Sequence, residues 1–304
     1  MKKNYLLSNS LAELLDGSLK KDSKHILISS GKKKITRREL IEKILRVRGG
    51  LYKKGFRKGD KVISILDNSY EQIILFFACV TLGIIWVPVG SDRKGLGLNY
   101  IINKIKPKKI ISKYKNSKNI PKRFNKKIFK ISKNLKNLEF KKKKFEISNV
   151  YKTSCILFTS GTTGPPKGVM VSQKMLLASA YATSFAAEIN QNDKLLLWES
   201  IHHIGGLQLI VLLLLNNFHL VITKKFSARN FWNQVRVNRI TKIHYLGGIL
   251  DILLKLKKDK KDKKHFVKLA FGAGCAVNTY YNFKKRFNIP LREVYGMTEA
   301  SSFS

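Results

Sequence analysis

Leu157-Phe158-Thr159-Ser160-Gly161-Thr162-Thr163-Gly164-Pro165-Pro166-Lys167-Gly168 stands between two apolar runs, Cys155 to Phe158 and Val169 to Val171. Small hydroxyl and glycine residues fill the middle of the block. Such a loop leaves its backbone N–H groups open to phosphate oxygens, with hydroxyls as extra donors and Lys167 as the countercharge. An ordinary surface turn needs only one or two residues of this kind, so the density of the block argues for a phosphate site. It is not a Walker A loop, which requires G-x-x-x-x-G-K-[ST]. Counting from Gly161, the second glycine position holds Pro166, and Lys167 is followed by Gly168.

Working outward, the pattern alternates. Thr36 and Glu39 form a capping box that opens a helix, continued at helical spacing by Leu40, Ile44, Val47 and Leu51 and ended near Gly55. Val62 to Leu66 predicts a buried strand, Tyr70 to Leu82 an apolar helix closed by Gly83, and Ile84 to Val89 the next strand. Ser172 caps a helix running to about Glu188. Leu195 to Trp198 and His219 to Thr223 predict strands flanking a further apolar helix. Phe231 to Val237 predicts a helix and Lys242 to Leu246 a strand. Strands alternating with helices predict an α/β fold of stacked, mostly parallel sheets with flanking helices.

Composition sets bounds. The 304 residues are 44% hydrophobic, enough for a large core and unlike a disordered chain. Cys79, Cys155 and Cys275 are widely spaced, form no metal-ligand cluster and suggest a reducing cytoplasm. The N-terminus has no long apolar run after its first lysines, so no secretory signal is expected. The stretch from Ile73 to Val89 is broken by Thr81, Gly83 and Pro88 and falls short of the ~20 residues of a spanning helix. The oligomeric state is not legible.

The net charge of +41 taken alone suggests a polyanion partner. Yet 48 of the 60 basic residues are Lys and 12 are Arg, and Arg is the preferred reader of bases and phosphates. Codon drift toward Lys, Asn and Ile gives the same composition without a partner, so no specific nucleic acid is expected. Residues 103–148 read as a basic, variable connector carrying short strands at Ile110-Ile111 and at Ile128 to Ile131.

From Thr159 to Gly168 the block matches every fixed position of T-S-G-T-T-G-x-P-K-G, and it resembles the adenylate-forming superfamily of acyl-CoA synthetases, luciferases and peptide-synthetase adenylation domains. Tyr295-Gly296-Met297-Thr298-Glu299 resembles that family's Y-G-x-T-E. Gly59-Asp60-Lys61-Val62 with Asn68, Gly83 and Val87-Pro88-Val89 resembles its N-terminal pattern. His203 to Gly206 resembles its H-x-x-G element, with Glu199-Ser200-Ile201 where a proline is usual. Phe271-Gly272-Ala273-Gly274-Cys275 is a partial match to its adenine loop and is expected as a small-residue bend after a strand.

The resemblance implies roles. Thr159, Ser160, Gly161, Thr162, Thr163, Gly164 and Lys167 would hold the ATP phosphates. Gly272, Ala273, Gly274, Tyr295, Gly296 and Thr298 would hold adenine and AMP. Glu299 would place Mg²⁺, and His203 and Gly206 would line the acyl pocket. The implied reaction is that of an AMP-forming acyl-CoA ligase, with ATP, Mg²⁺, coenzyme A and a small carboxylic acid. The alternatives are a non-catalytic nucleotide-binding remnant and a basic nucleic-acid binder. The expected domain is an incomplete N-terminal domain spanning 1–304, without the family's small C-terminal domain and its catalytic lysine.

Overall fold

The structure is a computed structural model that describes residues 10–19, 23–113, 117–146, 149–159, 165–300 and 302–303. The chain opens with α1 (Leu11–Ser18), the hairpin β1 (Ile26–Ser30) and β2 (Lys33–Thr36), and α2 (Arg37–Lys53). Next come β3 (Lys61–Ile65), α3 (Tyr70–Thr81), β4 (Ile85–Val89), α4 (Gly95–Ile105), β5 (Lys109–Ser112) and β6 (Ile128–Lys130). A hairpin of β7 (Thr153–Thr159) and β8 (Lys167–Ser172) leads to α5 (Gln173–Ala187). Then follow β9 (Lys194–Leu197), α6 (Ile204–Asn216), β10 (His219–Ile222), α7 (Ala228–Val237), β11 (Lys242–Leu246) and α8 (Gly247–Leu254). The last elements are β12 (Leu269–Ala273), α9 (Val277–Phe287), β13 (Leu291–Glu293), β14 (Gly296–Met297) and β15 (Ser302–Phe303).

The strands make two large sheets. The first runs β13-β12-β11-β9-β10-β1-β2, the second β6-β5-β3-β4-β7-β8, and β14 pairs with β15 apart from both. Within the large sheets the pairing is parallel except at two edges, where β2 returns along β1 and β8 along β7. The fold is therefore α/β with two parallel-dominated sheets, as the alternating pattern predicts.

Period two sorts the side chains into layers. Leu195 and Leu197 face one core and Leu196 another. Cys155 and Leu157 face that first core, Ile156 and Phe158 a third. The shared core therefore takes one face of each sheet, with α3, α5 and α6 between them. This is why α3 and α6 are apolar all round: every residue of α3 is buried. The outer face of the first sheet packs on α7, α8 and α9, and that of the second on α4. The apolar stretch expected as core rather than as a span becomes α3 and β4. Among the described residues, no helix is long and apolar enough to cross a membrane.

Local signals set the helix starts. Thr36 and Glu39 make the reciprocal capping box of α2, and Ser69 and Ser172 cap α3 and α5. The basic segment carries β5 and β6 as sheet strands and then folds back on α2. There Gly49 and Gly50 let the carbonyls of Lys141 and Leu138 come so close that a Cβ would stand 1.9 and 1.6 Å from them. Arg48 is wholly buried beside them and donates to the carbonyls of Lys143 and Lys144 at 3.3 and 2.9 Å. Burial lowers its guanidinium to about 10, so it stays charged at neutral pH.

Candidate functional site

The phosphate-type block runs from the end of β7 to the start of β8. Thr159 pairs with Lys167 at its base, so the hydroxyl and the lysine that bracket the loop face each other across one rung. Thr159 is half-buried and Lys167 is exposed. Ser160, Gly161, Thr162, Thr163 and Gly164 lie outside the described residues. The Thr298–Ala300 turn lies against β8. The two motifs, at opposite ends of the sequence half they span, therefore meet on one strand. Glu299 is exposed there and Thr298 half-buried, and the Tyr295 ring stands 69% exposed before β14.

Gly272 to Gly274 sit at the C-terminal end of β12. Gly272 is not in a bend: it pairs in parallel register with Tyr245 of β11 and Glu293 of β13. A Cβ on Gly272 would stand 1.9 Å from the Tyr245 carbonyl oxygen. Phe271, before it, is a buried core residue. The expected bend after a strand is thus strand as far as Ala273. The turn comes at Gly274, whose φ of +76° is in the region that favours glycine. The Gly274 carbonyl in turn lies 1.8 Å from where a Cβ of Gly247 would be. The Glu293 carboxylate ties this end together, accepting from the Tyr245 hydroxyl at 2.6 Å and from the Cys275 N–H at 3.0 Å. Burial and that bond to Glu293 push the Tyr245 hydroxyl far above its ordinary value, so it remains a donor.

The C-terminal ends of the two sheets close on each other through Asn68, buried just after β3. Its amide N–H donates to the Glu199 carbonyl at 2.8 Å, and its oxygen accepts from the Ile201 N–H at 3.0 Å. This clamp fixes the loop that carries His202 and His203. His203 is exposed at the N-cap of α6. His202 is the more buried ring: it bonds the Ser200 hydroxyl and packs where a Cβ of Gly90 would stand 3.0 Å away. Burial, helped by the neighbouring His203, holds His202 at about 4, neutral at physiological pH. Gly206 is needed because a Cβ would meet the Ser200 carbonyl at 2.5 Å. A cavity of about 270 Å³ opens here, lined from both sheets by Asp67, Asp92, Glu199, His202 and His203 among others. Open α/β sheets bind ligands at this edge, outside the carboxyl ends of their strands.

A profile of AMP-binding enzymes matches residues 16–304. The chain belongs to the AMP-binding enzyme family. Long-chain fatty acid transport protein 3 of Mus musculus is 32% identical over 155 residues, which is 50% of this chain and 23% of that protein. The very long-chain fatty acid transport protein of Saccharomyces cerevisiae is 32% identical over 152 residues, 49% of this chain and 23% of that one. The match thus spans under a quarter of either curated relative. Among solved structures, ATP-bound MatB from Rhodopseudomonas palustris superposes with a TM-score of 0.86 at 21% identity, covering 97% of this chain and 61% of the other. The inhibitor-bound N-terminal domain of FACL13 from Mycobacterium tuberculosis gives 0.86 at 18%, covering 97% and 77%. At these identities the likeness is one of fold.

For an AMP-binding enzyme, the site residues expected from the sequence fall into two groups. Thr159, Lys167, Thr298 and Glu299 gather about β8. Gly272, Ala273 and Gly274 line up at the end of β12, and His203 stands on the cavity rim. Glu293, Tyr245, Gly247 and the buried Glu199 were not singled out from the sequence. The glycine pair Gly247-Gly248 directly after a strand carried a readable signal of close backbone approach. The acidic residues carried none, because their partners come from other strands. Among the described residues no three His, Cys, Asp or Glu cluster as a ready-made metal cage. A single exposed carboxylate at Glu299 fits Mg²⁺ nonetheless, since that ion is commonly held by one or two carboxylates together with substrate phosphates.

Proposed function

We propose that this chain is the ATP-handling part of an AMP-forming acyl-CoA ligase. The observation that supports it most is the meeting of the Lys167-bearing strand with the Thr298–Glu299 turn. One carboxylate oxygen of the acid attacks the α-phosphorus of ATP. The bond from that phosphorus to the bridging oxygen breaks, and pyrophosphate leaves. The thiolate of coenzyme A then attacks the acyl carbon of the adenylate, and AMP departs with the electron pair of the broken C–O bond.

A carboxylate is already a nucleophile, so catalysis reduces to positioning and to neutralising phosphate charge. Lys167 and the Thr159 hydroxyl, at the base of the loop, hold the departing pyrophosphate. The Thr298 hydroxyl supports the α-phosphate as charge builds on it. Glu299 would hold Mg²⁺, which supplies countercharge to the phosphates. The open side of Gly274, where nothing lies within 4 Å of a Cβ position, receives the adenine ring, with Tyr295 as its stacking partner.

Isothermal titration of the purified chain with ATP and Mg²⁺ tests the first half of the reading, and carboxylate-dependent exchange of labelled pyrophosphate into ATP tests the second. Lys167→Ala is expected to weaken ATP binding about tenfold or more, the loss of a charge-assisted contact. Failure to bind ATP overturns the reading, and detectable exchange sinks the alternative of a non-catalytic nucleotide binder.

A further inference from the structure

The cavity beside His203 is small for a ligand site. Its 270 Å³ lies below the range of about 300–1,000 Å³ usual for pockets that take drug-sized ligands. Its walls are unlike those of an alkyl slot. Asp67, Asp92, Glu199, Ser200 and both imidazoles reach it, and Lys224 and Lys225 stand exposed at its rim. Its apolar side is Trp198 against Phe226, edge to face with centroids 5.5 Å apart. Trp198 is held in place, since its indole N–H donates to the His244 carbonyl at 2.7 Å. These same rings also line a larger cavity of about 690 Å³.

Glu199 decides what the small cavity accepts. It is 8% exposed, and a polar group that buried needs polar neighbours. Two things hold it here. His244 Nδ1 lies 3.0 Å from Oε2. The carboxylate also packs on the first turn of α6, where a Cβ of Gly205 would stand 2.5 and 2.7 Å from its oxygens. A fixed, shielded carboxylate is a strong acceptor for a donor that reaches it. A methyl terminus would only strip it of water.

We propose that the acid activated at this site is short and carries a hydroxyl at its far end, which donates to Glu199. This rests on the adenylate-forming reading above. Glu199 is then a specificity-determining residue. Trp198 and Phe226 limit the length of the chain.

Three stable acyl-adenylate mimics separate the possibilities: acyl-sulfamoyl-adenosines bearing butanoyl, 4-hydroxybutanoyl and hexadecanoyl groups, titrated into the purified full chain beside ATP. The hydroxybutanoyl probe is expected to bind about tenfold more tightly than the butanoyl probe, as for a hydrogen bond to a charged group, and the hexadecanoyl probe weakest. In Glu199→Gln the preference for hydroxybutanoyl over butanoyl should shrink to about twofold. The wild-type comparison stands whether or not that variant folds. Tightest binding of hexadecanoyl, or no effect of the hydroxyl, overturns the proposal and leaves adenylate formation intact. Failure of ATP and all three probes to bind removes both.

Discussion

A methyl group at position 272 would stand 1.9 Å from the carbonyl oxygen of Tyr245 and 2.7 Å from its ring. Both neighbours are fixed, one by the β11–β12 ladder and the other by the bond to Glu293. Gly272→Ala is therefore expected to destabilise the protein by about 3 kcal/mol, the upper part of the overpacking range, read as the shift of a urea midpoint. Gly248 is the control: nothing lies within 4 Å of its Cβ position, so Gly248→Ala in α8 should be neutral or stabilising by up to about 1 kcal/mol. From the sequence, the run from Gly272 to Gly274 reads as a bend, because small residues serve bends and tight approaches alike. Only the register with Tyr245 tells them apart, and register is a property of two strands. The motif residues Thr159, Lys167, Thr298 and Glu299 were legible because their identity and spacing are local. Glu199 and Glu293 were not, since an isolated acidic residue gives no hint that a strand elsewhere will bury it.

Elements were legible to the extent that their signals are local. The capping box of Thr36 and Glu39, the Ser172 cap and the apolar runs all placed helices and strands within a residue or three of their observed ends. The hairpin of β1 and β2 was missed although Ser30-Gly31 marks its turn, and Gly31 has the positive φ of +59° that such a turn uses. The strand order, which sends β1 to the side of β10, depends on crossovers that no short window contains. The packing of the basic segment on α2 was equally hidden, and it makes a testable point. Gly50→Ala puts a methyl 1.6 Å from the Leu138 carbonyl, so the segment from Lys133 to Glu146 should lift from the helix. Its lysines would then be cut by trypsin several-fold faster than in the wild type. Unchanged cleavage would show that the segment gains its order elsewhere.

The stability of the whole molecule should depend on pH through two imidazoles. His202 and His219 are both pulled down to about 4, mainly by burial. In the unfolded chain they protonate near the ordinary value of 6.5. Between these values the unfolded state binds more protons than the native one, so stability is complete above about pH 6.5 and falls as pH drops toward 4. The net charge of +41 compounds the loss, because each added proton enlarges a repulsion already large. Urea midpoints at about pH 7.5 and 5 would measure the decline, and the pair His202→Gln and His219→Gln should flatten it. A midpoint that stays level in the wild type counts against the burial of these rings. The wall of the small cavity also gives the molecule an optical gauge. Of three tryptophans, all buried in cores, Trp198 is the one that lines this cavity. Indole emission shifts with the polarity around the ring, so filling the cavity should shift the emission of Trp198, and the protein reports that occupancy without a label.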